Sequence, residues 1–124
     1  MEAIVAGAIM TVEIRNINIA KDFSPYPHGR TRKDGTHNGE TFRDDLLAPA
    51  VRSAVQNHGT VVIDLDGVKA LGSSFSEEAF GGLLRMEIAP PQDVLRSVEV
   101  RYTRPWLRSI AEDIRAYMSE AAVR

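Results

Sequence analysis

The apolar positions of this chain fall into three strand-like runs separated by helix-like stripes. Thr11 to Ala20 alternates, with Val12, Ile14, Ile17 and Ile19 as its apolar members. The phase slips at Arg15-Asn16, which predicts a bulge or a tight hairpin there. Thr60 to Leu65 is a continuous run rich in β-branched residues and suits a central strand. Ser97 to Tyr102 sets Val98, Val100 and Tyr102 against Glu99 and Arg101, a third strand. Between these runs, Phe42, Leu46, Ala50, Val51, Ala54 and Val55 share one helical face, and Phe75, Ala79, Phe80, Leu83 and Leu84 share another. Leu107, Ile110, Ala111, Ile114, Tyr117, Met118 and Ala121 form the strongest stripe, opened by Thr103-Arg104-Pro105. The alternation predicts a single α/β domain with a mixed sheet of about four to five strands and about three to four helices.

Punctuation refines the boundaries. Asn38 is placed to cap the first long helix, Pro49 predicts a kink or a fresh helix start inside it, and Asn57-His58-Gly59 ends it. Pro90-Pro91 closes the helix that follows Ser74. Asp22 to Gly39 contains two prolines and three glycines and reads as a long loop, a kind that is usually functional or mobile. Residues 1–10 are apolar but lack a basic leader and are too short to span a bilayer. They read as an extension or an edge strand ahead of a domain at 11–124, with Met10 as an alternative start. An apolar edge of this kind is also a route to a homodimer.

Composition narrows the chemistry. With a net charge of −2 there is no basic excess to bind nucleic acid. The absence of cysteine removes disulfides, thiolate nucleophiles and Cys-based zinc sites, and fits a cytoplasmic protein. His28, His37 and His58 lack metal-ligand spacing on any one element, so neither a metal nor a cofactor is expected. No nucleophile elbow or triad is present, so no catalytic residue is assigned.

The informative stretch is Val61 to Arg85, a strand, a turn carrying Ser73-Ser74, and a helix that begins at those serines. A helix start gathers free N–H groups and the positive dipole end. Ser74 and Glu77 have the spacing of a capping box, worth about 0.5–2 kcal/mol, which leaves Ser73 as the serine free for regulation. The loop cations Arg30, Arg32 and Lys33 are candidates for contact with a phosphate or an acidic partner, against the plain reading of a solvated surface. Gly81-Gly82 within a helix implies close packing or a flat exposed patch.

Several blocks carry a family resemblance: Phe23-Ser24-Pro25 with Gly29-Arg30, Gly39-Glu40-Thr41-Phe42-Arg43, Leu46-Leu47-Ala48-Pro49, Ile63-Asp64-Leu65-Asp66-Gly67-Val68, and Gly72 to Gly82. Together they resemble the STAS domain of anti-sigma factor antagonists, and more narrowly a STAS-like family of uncharacterised function. The resemblance implies a sheet with packed helices and regulation by protein contact, with a histidine-kinase-like ATPase or kinase as partner. It makes Ser73 the phosphorylation candidate, although Gly72 stands where those antagonists carry aspartate and Phe75 where they carry glycine. The partner surface it implies comprises Gly67, Val68, Gly72, Ser73, Ser74, Glu77 and Glu78. Asp64-Leu65-Asp66-Gly67-Val68 also resembles the first motif of haloacid dehalogenase-type phosphatases, which would make Asp64 the nucleophile and Asp66 the acid/base of a Mg²⁺-dependent enzyme. A structural subunit of a larger assembly is the third reading.

Overall fold

The structure is a computed structural model that describes residues 2–5, 8–11 and 13–123, with side chains from residue 13 onward. Strands β1 (Glu2–Val5) and β2 (Ala8–Thr11) pair antiparallel as a two-stranded ladder of their own. Strands β3 (Ile14–Asn18), β4 (Thr60–Asp64) and β5 (Val98–Arg101) form a three-stranded sheet in the order β3-β4-β5, parallel throughout. The expected mixed sheet of four to five strands is therefore a parallel sheet of three. The run from Thr11 to Ala20 is not one strand, because Thr11 ends β2 and Ile19 already lies in a helix. The apparent phase slip is not a bulge either. β3 pairs in unbroken register from Ile14 to Asn18, and Ile14 stands on the opposite face from Ile17 and is exposed. Val12 lies outside the described residues.

Ile17, Ile63 and Val100 sit side by side on one rung and enter the core. The next rung, Asn16, Val62 and Glu99, faces the other way, with its two outer members exposed. Parallel strands need crossover connections, and helices supply them. Helix α1 (Ile19–Asp22) is a single turn that Asn18 caps by accepting from the Lys21 N–H, while Asp22 accepts from the Asn18 N–H. Helix α2 runs over residues 39–56, α3 over 73–85, α4 over Pro91–Ser97, and α5 over Arg108–Ala122 after a 3₁₀ turn at Pro105–Leu107. None of the described helices is long and apolar enough to cross a membrane.

Among the described residues five helices exceed the three to four expected, because Ile19–Asp22 turns into a helix and because Pro90-Pro91 opens a helix as well as ending a segment. Pro91 takes a first-turn position, where its missing N–H costs nothing, and Val94 is buried beneath it. Pro49 marks a fresh start within α2, one of the two outcomes expected of it. A π-helical turn at Arg43–Leu47 precedes it, the Ala48 N–H reaches back to the Arg43 carbonyl, and the helix restarts with Pro49 in its first turn. At the end of α2 it is His58 (φ 54) that adopts the left-handed conformation, and the Gly59 N–H closes the cap on the Ala54 carbonyl. The amphipathic stripe of α5 buries Ala111, Ile114 and Met118, as its spacing predicts.

Candidate functional site

All four phenylalanines of the chain converge beneath the start of α3. Phe75 packs on Phe23 and Phe42 with ring centroids 6.0 and 5.6 Å apart, and Phe42 lies 6.0 Å from Phe80. Each such pair adds about 0.5–1.5 kcal/mol beyond simple burial. Phe75 thus fastens the first turn of α3 to the loop after α1 and to α2. The helix starts contact each other closely, since a Cβ on Gly39 would lie 2.6 Å from the Phe75 carbonyl oxygen.

With Phe75 pinned inward, the two preceding serines point out. The helix begins at Ser73 and its N-cap is Gly72, in extended conformation and without a capping side chain. The expected Ser74–Glu77 capping box does not form, because Ser74 lies inside the first turn and Glu77 is engaged elsewhere. Both serines are exposed, and among the described residues neither hydroxyl makes a hydrogen bond.

Facing them is the loop between α1 and α2, which is held in a fixed shape. Asp34 accepts from the backbone N–H groups of Arg30 (3.0 Å) and Thr31 (2.9 Å), and these bonds hold its carboxyl below the usual range. Asn38, almost fully buried, caps α2 by accepting from the Thr41 N–H and donates to the Gly35 carbonyl. The loop and the serine turn enclose an open groove of about 610 Å³ whose rim carries His28, Arg30, Thr31, Ser73 and Ser74.

Behind the groove, an ion-pair chain links loop and helices. It runs Arg85–Glu77–Arg30–Glu78–Arg43–Asp44–Arg32–Glu40, alternating in sign throughout. Glu77 sits between Arg85 and Arg30, each at 2.6 Å, and these partners keep its carboxyl below the ordinary carboxylate range. Burial opposes the charge on Arg43, but its contacts with Asp44 and Glu78 outweigh it. The two π-helical turns, Arg43–Leu47 and Glu77–Gly81, bring these residues opposite each other. Gly81 and Gly82 are buried, not a flat exposed patch. A Cβ on Gly81 would meet Glu77, and one on Gly82 would meet the Arg43 guanidinium.

A family model described as "STAS-like domain of unknown function (DUF4325)" matches residues 38–103, from the cap of α2 to just past β5. The chain belongs to this STAS-like family. The matched span includes β4, the serine turn and α3, so it takes in the serine side of the groove, while the loop side, from His28 to Asp34, precedes it. No match was found among curated proteins or among solved structures.

Within the STAS-like domain the residues singled out from sequence divide clearly. Gly72, Ser73 and Ser74 are exposed together at the groove. Glu77 and Glu78 are partly buried and committed to arginines. Gly67 (φ 101) is exposed at a turn, whereas the Val68 side chain is 3% exposed and belongs to the core, so it offers a partner no contact. Arg30 and Arg32 hold carboxylates of this same chain, and Lys33 alone of the three loop cations stands exposed with no ion pair among the described residues. Asp64 accepts from the Asp66 N–H, and Asp66 accepts from the hydroxyl and N–H of Thr103, contacts that hold Asp66 below its usual range. Both carboxylates therefore shape the turn after β4. The described residues contain no cluster of three or more His, Asp or Glu able to hold a metal. Arg43 and Arg85, half of the cationic side of the ion-pair chain, receive no role from sequence, because Arg43 meets Glu78 only across the packed helices and Arg85 meets Glu77 at a spacing that is not a usual helical pair.

Proposed function

We propose that this STAS-like domain is a non-catalytic regulatory module that binds another protein through the start of α3, with Ser73 as its control point. The observation that carries this reading is the pair of exposed hydroxyls at Ser73 and Ser74, free of any role in the fold, on the rim of a groove that also bears Arg30. A serine that caps a helix is explained by stability, and these two are not. Phosphate on Ser73 would sit on the first turn of α3, where N–H groups and the dipole favour it, with the Arg30 guanidinium on the same rim. It would stand one helical turn from Glu77, whose charge opposes it. Addition of phosphate would therefore change the charge of the binding face sharply without disturbing the core. The resemblance to anti-sigma factor antagonists supports a histidine-kinase-like ATPase as the partner.

The test is capture of partners by the full chain from its source organism, followed by intact-mass analysis and by calorimetry of Ser73→Asp with the captured protein. A single phosphate on Ser73 and an affinity weakened at least tenfold by Ser73→Asp are expected. An unmodified chain in the presence of the active kinase, with unchanged affinity for Ser73→Asp, would overturn control at this residue.

A further inference from the structure

A second groove, of about 570 Å³, opens at the carboxyl ends of β4 and β5, between the turn at 66–69 and the segment 103–107. Its composition is that of a recognition surface. Trp106, the chain's one tryptophan, is 52% exposed on its edge. It is presented by a short 3₁₀ turn fixed on both sides, with Pro105 opening the turn and Leu107 fully buried. The backbone that carries the indole is fixed before any partner arrives, so the ordering cost of using it is confined to the side chain.

Charge gives the groove its direction. Lys69 and Arg104 are exposed and line it, and among the described residues neither closes a direct ion pair, in contrast to Arg30, Arg32, Arg43 and Arg85, although the Arg104 charge acts on Asp66 nearby. The acid in the groove, Asp66, already accepts the Thr103 hydroxyl at 2.6 Å and the Thr103 N–H at 2.8 Å. The groove thus carries one net positive charge, enough to favour carboxylates but little for a polyphosphate. The Lys69 N–H donates to the Pro25 carbonyl, which brings Tyr26, 64% exposed, to the same end of the sheet. Tryptophan, tyrosine and arginine are the side chains that dominate binding energy at protein interfaces.

We infer that this groove docks an acidic protein segment, which seats an apolar side chain on Trp106 and sets its carboxylates against Lys69 and Arg104. The inference rests on the reading of the domain as a protein-binding module, and assigns a second contact surface distinct from the serine groove.

The experiment is selection of random peptides displayed on phage against the full chain, with the enriched sequences synthesised and titrated by fluorescence anisotropy. Enriched peptides should be acidic and carry an aromatic or branched apolar residue, and should shift the emission of Trp106 on binding. Affinity should fall at least tenfold in Trp106→Ala and in Lys69→Glu/Arg104→Glu, and should hold in Ser73→Ala. Circular dichroism melts of each variant confirm that the fold is intact, and Trp106→Phe, which keeps an aromatic face, should retain most of the binding. Peptides without acidic bias, or whose binding ignores Trp106→Ala, would overturn the inference while leaving the serine groove as the binding face. Binding of ATP or inorganic phosphate that shifts Trp106 emission at micromolar concentration would replace the peptide by a phosphate ligand. No enriched peptide at any surface would count against this site, and the partner capture described above would then decide the module reading by itself.

Discussion

Replacing Gly39 by alanine tests whether the two helix starts are as tightly apposed as their geometry requires. The added Cβ would lie 2.6 Å from the Phe75 carbonyl oxygen, 3.1 Å from the Glu78 Cβ and 3.3 Å from the Ala79 nitrogen. An ordinary contact needs several tenths of an ångström more at the oxygen, and backbone atoms cannot rotate away as a side-chain tip can. Relief has to come from moving α2 and α3 apart at the buried cluster of Phe42 and Phe75, and forced displacements of this kind cost about 1–3 kcal/mol. Alanine returns up to about 1 kcal/mol as a better helix former, and less in a first turn. A net loss of about 1–2 kcal/mol follows, which is several degrees in melting temperature for a chain of this size. Urea denaturation followed by circular dichroism measures it directly as a lower midpoint at unchanged slope. If Gly39→Ala is as stable as wild type or more so, the close approach is wrong, and with it the account of how the groove is shaped.

Three further outcomes follow from the same geometry. Asn38→Ala should lose about 1–2 kcal/mol, because the side chain is buried, caps α2 and also holds the Gly35 carbonyl, whereas Ser74→Ala should move the urea midpoint by no more than its scatter; equal losses would restore a capping role to Ser74. Glu77, held by Arg85 and Arg30 below its ordinary value of 4.5, contributes stability that is complete above that value and is lost as pH falls through its lower folded-state value; in Glu77→Gln the denaturation midpoint should fall less steeply below pH 4.5 than in wild type, and an unchanged slope would mean that the ion pairs are open in solution. Ser73→Asp should cost more stability in an Arg30→Ala background than in wild type, because the cation on the same rim is gone; a double-mutant cycle with no coupling would show that Arg30 stays with Glu77 and does not answer a new charge at Ser73.

What the sequence made legible is what depends on local pattern. The β-branched run at Thr60 marks β4, the last stripe marks α5, and Asn38 announces the cap of α2, because each signal is contained within a few residues. The misses are of two physical kinds. Pro90-Pro91 and Ile17-x-Ile19 are ambiguous locally: a proline pair ends one segment and starts another, and two isoleucines at strand spacing serve equally as the end of β3 and the first residue of α1. The capping-box spacing at Ser74 failed because the helix starts at Ser73, and because Arg30 from a distant loop and Arg85 from further along α3 engage the carboxylate that would have closed the box. Gly81-Gly82 was recognisable as a packing signal, but that it makes room for guanidinium groups became visible only when α2 and α3 were set against each other. The resemblance carried further than local pattern did, because it read β4, the serine turn and α3 as one unit.

The turn between β4 and α3 is the piece that gives these observations a common consequence. Its residues 66–69 line the tryptophan groove, and residues 72–75, where it runs into α3, line the serine groove, so the two lie on either side of one short segment. Leu65 and Val68 root that segment in the core, Asp64 and Asp66 brace it through the Asp66 N–H and through Thr103, and the Lys69 N–H ties it to Pro25. A segment fixed at so many points keeps the spacing between the grooves constant. A partner wide enough to cover both would meet a preset pattern of cations and an indole on one side and hydroxyls on the other. Under the proposed module reading, a charge added at Ser73 would then change one edge of that contact and leave the Trp106 edge intact. Graded weakening by Ser73→Asp, in place of complete loss, is what such a divided surface implies, and partners that rely on the serine edge alone would be the ones released outright.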